Sequence, residues 1–257
     1  MSGLLPPRGG LPSRQSGSRI PPGRRKKDYT PVEWNTYWDE RHLIGGPDGD
    51  EFNYFTMGDE SVDCNILLLH GGGFSSLSFS LFAKQLRDFV NCYIIAPDLR
   101  GHGASRCQNE SKLSMEQLTE DAVLIFDELC QTKPTIIIGH SMGGALAVHV
   151  SHRTSCVAII VIDVVEGTAI DALPAMEALL RGRPPKFKNK AHAVEWAVRT
   201  GYIKNLASAK ISMPSQVQDD PSGTAYTGTD ISENGEAATE ETGNVQIWVR
   251  CDIFCCL

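Results

Sequence analysis

Four short stretches of the chain are apolar at nearly every position: residues 66–69, 92–96, 135–138 and 157–162. A strand with one wet face alternates apolar and polar residues, whereas a strand apolar throughout is covered on both faces. Between these runs lie segments with helical spacing. In 78–90 it falls on Phe79, Phe82, Leu86 and Phe89, and in 115–130 on Met115, Leu118, Ala122, Ile125 and Leu129. A third helix is expected over 142–152, and a further strand over 52–57. Continuous apolar strands separated by helices predict a mostly parallel sheet with helices on both faces.

The 257 residues suit one larger α/β domain better than two small ones. After Asp163 the alternation stops. Residues 170–182, 189–200 and 204–212 read as three helices with no strand between them. A helical insertion at this point of a sheet enzyme is expected to form a lid. The core with its lid helices (about 164–213) therefore spans 28–213, with Trp34, Tyr37 and Trp38 as anchors near its start. The flanks differ. Residues 1–27 hold seven Arg or Lys and no acid, and read as a disordered basic arm. Residues 214–243 are Pro, Ser, Gly, Thr and acid, and read as a disordered acidic insertion. Residues 244–257 form an atypical apolar tail.

A net charge of -7 argues against nucleic acid as the main partner. The basic N-terminal segment is followed by no apolar stretch of the signal-peptide kind, and no run approaches the ~18 apolar residues of a membrane span. The first five of the eight cysteines have no metal-ligand spacing, and reduced thiols are expected. A cytoplasmic or nuclear protein without a membrane partner follows as the expectation. Arg24-Arg25-Lys26-Lys27 reads as a solvated arm in preference to a nuclear address.

The chemistry concentrates where strands end. Gly139-His140-Ser141-Met142-Gly143 joins the run 135–138 to the helix after it, which is the setting of a nucleophile elbow in an α/β-hydrolase fold. The glycines allow a sharp turn that exposes the Ser141 hydroxyl, and the helix N-terminus favours negative charge there. The Met142 N–H is then one oxyanion donor. His70-Gly71-Gly72-Gly73 also follows a buried run, and its Gly72 N–H is expected as the second donor. A phosphate-cradling loop is the alternative, but no P-loop lysine follows. Asp98-Leu99-Arg100-Gly101-His102-Gly103 follows the next strand, and His102 reads as a structural loop residue in preference to a catalytic base. Asp163 ends the run 157–162 at the same sheet edge as Ser141. By position it is equally a triad acid or a loop acid, with Glu166 and Asp171 as weaker rivals.

Beyond these motifs, Gly-His-Ser-Met-Gly-Gly around Ser141 and Ile162-Asp163-Val164-Val165-Glu166-Gly167-Thr168-Ala169 resemble the protein phosphatase methylesterase family. So do Leu180-Arg181-Gly182-Arg183-Pro184 with Phe187-Lys188, Pro31-Val32-x-Trp34 and Glu195-Trp196. The resemblance covers about residues 28–217. It implies a serine esterase that removes the methyl ester from the C-terminal leucine of the protein phosphatase 2A catalytic subunit, its partner. It further implies Ser141 as nucleophile, Asp163 as triad acid, and neither metal nor organic cofactor. The family's histidine follows the acidic insertion and two more strands. In this chain the histidine after Asp163 is His192, read as a lid-helix residue and not a base. The expectation is a fold whose C-terminal strands are missing, with impaired turnover and an open edge at 157–162 that favours self-association. The other readings are a non-catalytic phosphatase-binding fragment and a serine hydrolase of other small esters.

Overall fold

The computed structural model describes residues 27–164, 183–184, 186–219 and 245–246. Its main sheet has six strands: β1 (Glu40–Gly45), β2 (Glu51–Met57), β3 (Asn65–Leu69), β4 (Tyr93–Pro97), β5 (Thr135–His140) and β6 (Ala158–Ile162). Their spatial order is β1-β2-β4-β3-β5-β6. The last four run parallel, as the apolar runs predict. The hairpin β1–β2 adds two antiparallel strands at one edge. β2 is the strand expected at 52–57. β1 is a strand the sequence pattern does not announce, because Glu40, Arg41 and His42 break any apolar alternation. It forms through backbone pairing with β2, from Glu40↔Thr56 to Gly45↔Glu51.

Successive β3 side chains point to opposite faces of the sheet. Leu67 and Leu69 pack with Phe52, Ile95 and Ile137 on one side. That face is covered by α2 (Met115–Leu129) and α3 (Met142–Ser151) through Leu118, Ile125, Phe126 and Leu146. Ile66 and Leu68 pack on the other side with Trp38, Phe55, Ile94 and Ile138. Their cover includes Leu77 and Ala83, the latter on α1 (Ser80–Phe89). The spacing over 78–90 overstates this helix's buried face: Ser80 and Ala83 are buried, whereas Phe82 and Phe89 point outward. Small residues let α1 approach closely, and Trp38 Nε1–H donates to Ser80 Oγ at 2.8 Å.

Beyond the sheet, α4 (Lys190–Thr200) and α5 (Leu206–Ser212) match the expected second and third lid helices. Asn189 and Asn205 cap them, each side-chain oxygen accepting first-turn N–H groups. Phe187, Ala193, Val194, Ala197, Ala209, Met213 and Val217 form their shared core. Two expectations need correction. A short strand, β7 (Lys186–Phe187), precedes α4 and joins β8 (Gln218–Asp219) and β9 (Val245–Gln246) in a small separate sheet. Two-residue strands have no periodicity to read. The segment expected to be disordered from 214 starts as ordered chain, because Met213 and Val217 are buried in the lid core. The arm 1–26, the helix expected at 170–182, residues 220–244 and most of the tail lie outside the described residues.

Among the described residues β6 pairs only with β5, and all five of its residues are exposed. The run 157–162 is a strand, as expected.

Candidate active site

One residue, Ser141, separates β5 from α3, and its backbone sits at φ 52° and ψ −120°. A serine in this region is strained, and surrounding bonds must hold it there. Its N–H donates to the Ile162 carbonyl at 2.9 Å, and its own carbonyl accepts from Gly144 and Ala145 N–H at 2.8 and 3.1 Å. The flanking glycines serve close approach. A Cβ on Gly139 would fall on the Gly143 carbonyl, and one on Gly143 would fall on the Leu69 and His70 carbonyls. Any side chain at either position would push α3 away from β3 and β5. The Met142 N–H lies in the first turn of α3. Among the described residues it donates to no protein acceptor.

The β5–β6 register sets Ile162 opposite His140. Asp163 therefore stands one residue past β6 as Ser141 stands one residue past β5. Asp163 also has a positive φ, 56°. Its rivals Glu166 and Asp171 lie outside the described residues. The charge of the Asp163 carboxylate favours a protonated His140, but burial outweighs it and holds that imidazole below its usual range. His140 lies under the glycine loop: a Cβ on Gly71 would come within 2.9 Å of its Nδ1. The Phe74 ring meets it edge-on, with centroids 6.0 Å apart.

The loop after β3 is shaped by two imidazoles. The Phe74 N–H donates to the Gly71 carbonyl at 3.2 Å, which closes a turn over 71–74. Fully buried His70 accepts the Leu99 N–H on Nε2 at 3.0 Å, so its proton is on Nδ1, which donates to the Gly71 carbonyl at 2.8 Å. His102 mirrors it from the next loop. Its Nε2 accepts the Gly73 N–H at 3.0 Å, and its Nδ1–H donates to the Arg100 carbonyl at 2.8 Å. Burial lowers both pKa values, that of His70 to about 3, so both rings are neutral at neutral pH. The Gly72 N–H, in the middle of this turn, has no protein acceptor among the described residues. The neighbouring loop is fixed by Asp98, which accepts from Ser76 N–H, Asn53 Nδ2 and Ala104 N–H at 2.9 Å each. Arg100 is tied between Asp50 and Asp121.

The lid reaches this loop through aromatic rings. Phe74 stacks on Tyr202 with centroids 5.8 Å apart and planes 6° apart, and Tyr202 meets Trp196 at 5.6 Å. The Arg183 guanidinium lies 4.2 Å from the Tyr202 centroid. His192 packs edge-on against Phe187, within the lid. The structure thus gathers Ser141, Met142, Asp163 and Gly72 at the C-terminal ends of β3, β5 and β6, and sets His192 in the lid. Sequence reasoning passed over His140, Phe74 and Tyr202. His140 was visible inside the elbow motif, whereas nothing in the pattern joins Phe74 to a residue so far along the chain. Among the described residues no three His, Cys, Asp or Glu side chains form a metal-binding group, and no helix is long and apolar enough to cross a membrane.

Comparison with known proteins agrees with this architecture. Residues 66–240 match the family model described as alpha/beta hydrolase family. The sequence is 42% identical over 229 residues to protein phosphatase methylesterase 1 of Mus musculus, covering 84% of this chain and 58% of that protein. It is 33% identical to a probable protein phosphatase methylesterase 1 of Dictyostelium discoideum, covering 73% of this chain and 67% of that one. Among solved structures, an alpha/beta hydrolase from Novosphingobium aromaticivorans superposes with a TM-score of 0.59 at 14% identity, over 82% of this chain and 69% of the other. The chain spans less than two thirds of the length of the mammalian relatives it matches. It has the α/β-hydrolase fold and belongs to the protein phosphatase methylesterase family.

Proposed function

We propose that Ser141 is the nucleophile of a serine carboxylesterase, and that the ester it opens is the methyl ester on the C-terminal leucine of the protein phosphatase 2A catalytic subunit. One observation carries the reading: the strained Ser141 backbone, held by Ile162, Gly144 and Ala145, together with the Gly72 and Met142 N–H groups, which no protein acceptor takes among the described residues. Strain of this kind persists where the surroundings over-determine it, as they do at reactive turns. In the proposed reaction the Ser141 oxygen attacks the ester carbonyl and gives its proton to a general-base imidazole, and the Gly72 and Met142 N–H groups receive the oxyanion. That proton passes to the departing methoxide, methanol leaves, and water, activated by the same base, then releases the peptide carboxylate from the acyl-serine. Asp163 is the acid that orients an imidazolium in this scheme. Neither metal nor organic cofactor enters these steps.

The substrate assignment rests on the methylesterase relatives. The test is release of methanol from methylated phosphatase catalytic subunit, run beside p-nitrophenyl acetate and repeated with Ser141→Ala. Loss of the phosphatase methyl group with the parent and not with Ser141→Ala supports the proposal. Hydrolysis of the small ester alone supports a serine hydrolase of other esters. A second reading is favoured by His192, whose ring packs in the lid against Phe187. If no other imidazole serves Ser141, a protein of these 257 residues binds the phosphatase and turns over slowly. Capture of the phosphatase without demethylation supports that reading.

A further inference from the structure

His70 and His102 are exchanged between two loops. His70, on the loop after β3, accepts an N–H from the loop after β4, and His102, on that second loop, accepts one from the first. Each imidazole also donates from Nδ1 to a backbone carbonyl, which leaves Nε2 free to act only as an acceptor. The two rings meet edge to face at 5.0 Å. This is more than a loop anchor, because the amide that His102 takes belongs to the residue after Gly72. Gly73 itself has φ 73°, a left-handed conformation that glycine adopts without steric cost.

We propose that His102 is a positioning residue for the oxyanion loop: its neutral ring accepts the Gly73 N–H and thereby keeps the adjacent Gly72 N–H turned toward the ester oxygen. The catalytic consequence rests on the esterase reading, and the clip itself does not. Protonating Nε2 converts the acceptor into a donor that faces another donor. The Gly73 N–H must then turn away, and Gly72 turns with it. The groups around His102 act in opposite directions. Burial disfavours the charged ring, whereas the Arg100 carbonyl and Asp98 on its own loop favour it. His70 presents its ring edge from the β3 loop. The Arg100 guanidinium is turned away, toward Asp50 and Asp121. The balance lowers the His102 pKa, so the clip is intact at neutral pH and opens only as the solution becomes acidic.

The experiment follows the Gly73 amide and the His102 ring nitrogens of the 257-residue protein by NMR from about pH 8 down to the acid limit of folding, alongside the rate of Ser141 labelling by a fluorophosphonate. Three variants separate the roles. His102→Gln can place an acceptor near the Nε2 position, His102→Asn keeps only the donor to Arg100, and His102→Leu keeps neither. The expected result is a neutral Nδ1–H ring, with Gly73 protected from exchange until that ring protonates. Labelling should fall about ten- to a hundredfold in His102→Asn and His102→Leu, less than the ~10²–10³ that follows outright loss of an oxyanion donor. His102→Gln should recover part of it, and thermal melts should confirm that all three variants fold. Gly73 exchange indifferent to His102 ionisation, or full labelling in a folded His102→Asn, overturns the proposal. If the parent is not labelled at all, the esterase reading fails, and the exchange data still decide the clip.

Discussion

β3 and β6 are alike in composition and opposite in surroundings. Both are short and apolar, apart from Asn65 at the start of β3. Every residue of β3 is buried, and every residue of β6 is exposed. β3 has β4 on one side and β5 on the other, with packed side chains above and below. Among the described residues β6 has β5 as its one strand partner, and α3 packs against it on one face. An apolar run therefore says that a segment wants cover on both faces, but not what provides it. At the site the β3 side ends in a loop clipped by His70 and His102, and the β6 side ends in Asp163 at a positive φ.

The sharpest way to break this comparison is to truncate one residue in each strand. Leu67 is fully buried and Ile160 is 47% exposed. Leu67→Ala should cost about 2–5 kcal/mol, a large part of the roughly 5–15 kcal/mol that holds a domain together. Ile160→Ala should cost about 1 kcal/mol or less. Urea denaturation of the two variants measures both, and equal losses would mean that β6 is as well covered as β3.

A smaller effect should appear with acid. His70 clamps the end of β3 to the loop after β4, and its pKa falls from 6.5 to about 3 on folding. A depressed folded pKa means the unfolded chain takes the proton first. The contribution is whole above about pH 6.5 and drains as pH falls toward 3, at roughly 1.4 kcal/mol per unit of pH. His102 is lowered in the same direction and adds to the slope. Stability measured between pH 6.5 and about 4.5, where carboxylates remain ionised, should decline in the parent and decline less in His70→Leu. Parallel curves would show that the clamp titrates nothing.

The smallest effect on stability belongs to a charge on β6, whose outer edge has no partner strand among the described residues. Ile160→Lys should change the folding free energy by only about 0.5 kcal/mol. Its effect on association should be larger, because an uncharged, β-branched edge recruits other chains and a lysine blocks it. Light scattering at matched concentrations should show less self-association in Ile160→Lys than in the parent. Identical scattering would mean that the edge is already covered.

Much of this architecture was legible because it rests on local pattern. The four parallel strands, α2, α3 and the Ser141 turn follow from periodicity and from glycine spacing over a few residues. The rest comes from contacts that no window of sequence contains. β1 is a strand because β2 lies beside it, despite Glu40, Arg41 and His42. Residues 214–219 are ordered because Met213 and Val217 have a lid core to enter. His102 was recognised as a loop residue, but its partner Gly73 lies on another loop, and the distance between them exists only once β3 and β4 pair. Asp163 is ambiguous by position, and its place beside Ser141 exists only once β5 and β6 pair.

We propose above all that Ser141, held in a strained turn near two N–H groups that have no protein acceptor among the described residues, is a reactive nucleophile. The most direct test is covalent labelling with a fluorophosphonate, read by intact mass and peptide mapping on the parent and on Ser141→Ala. A single adduct on the peptide containing Ser141, absent from Ser141→Ala, is the predicted result. An adduct that persists undiminished in Ser141→Ala, or that maps to another residue, would contradict it.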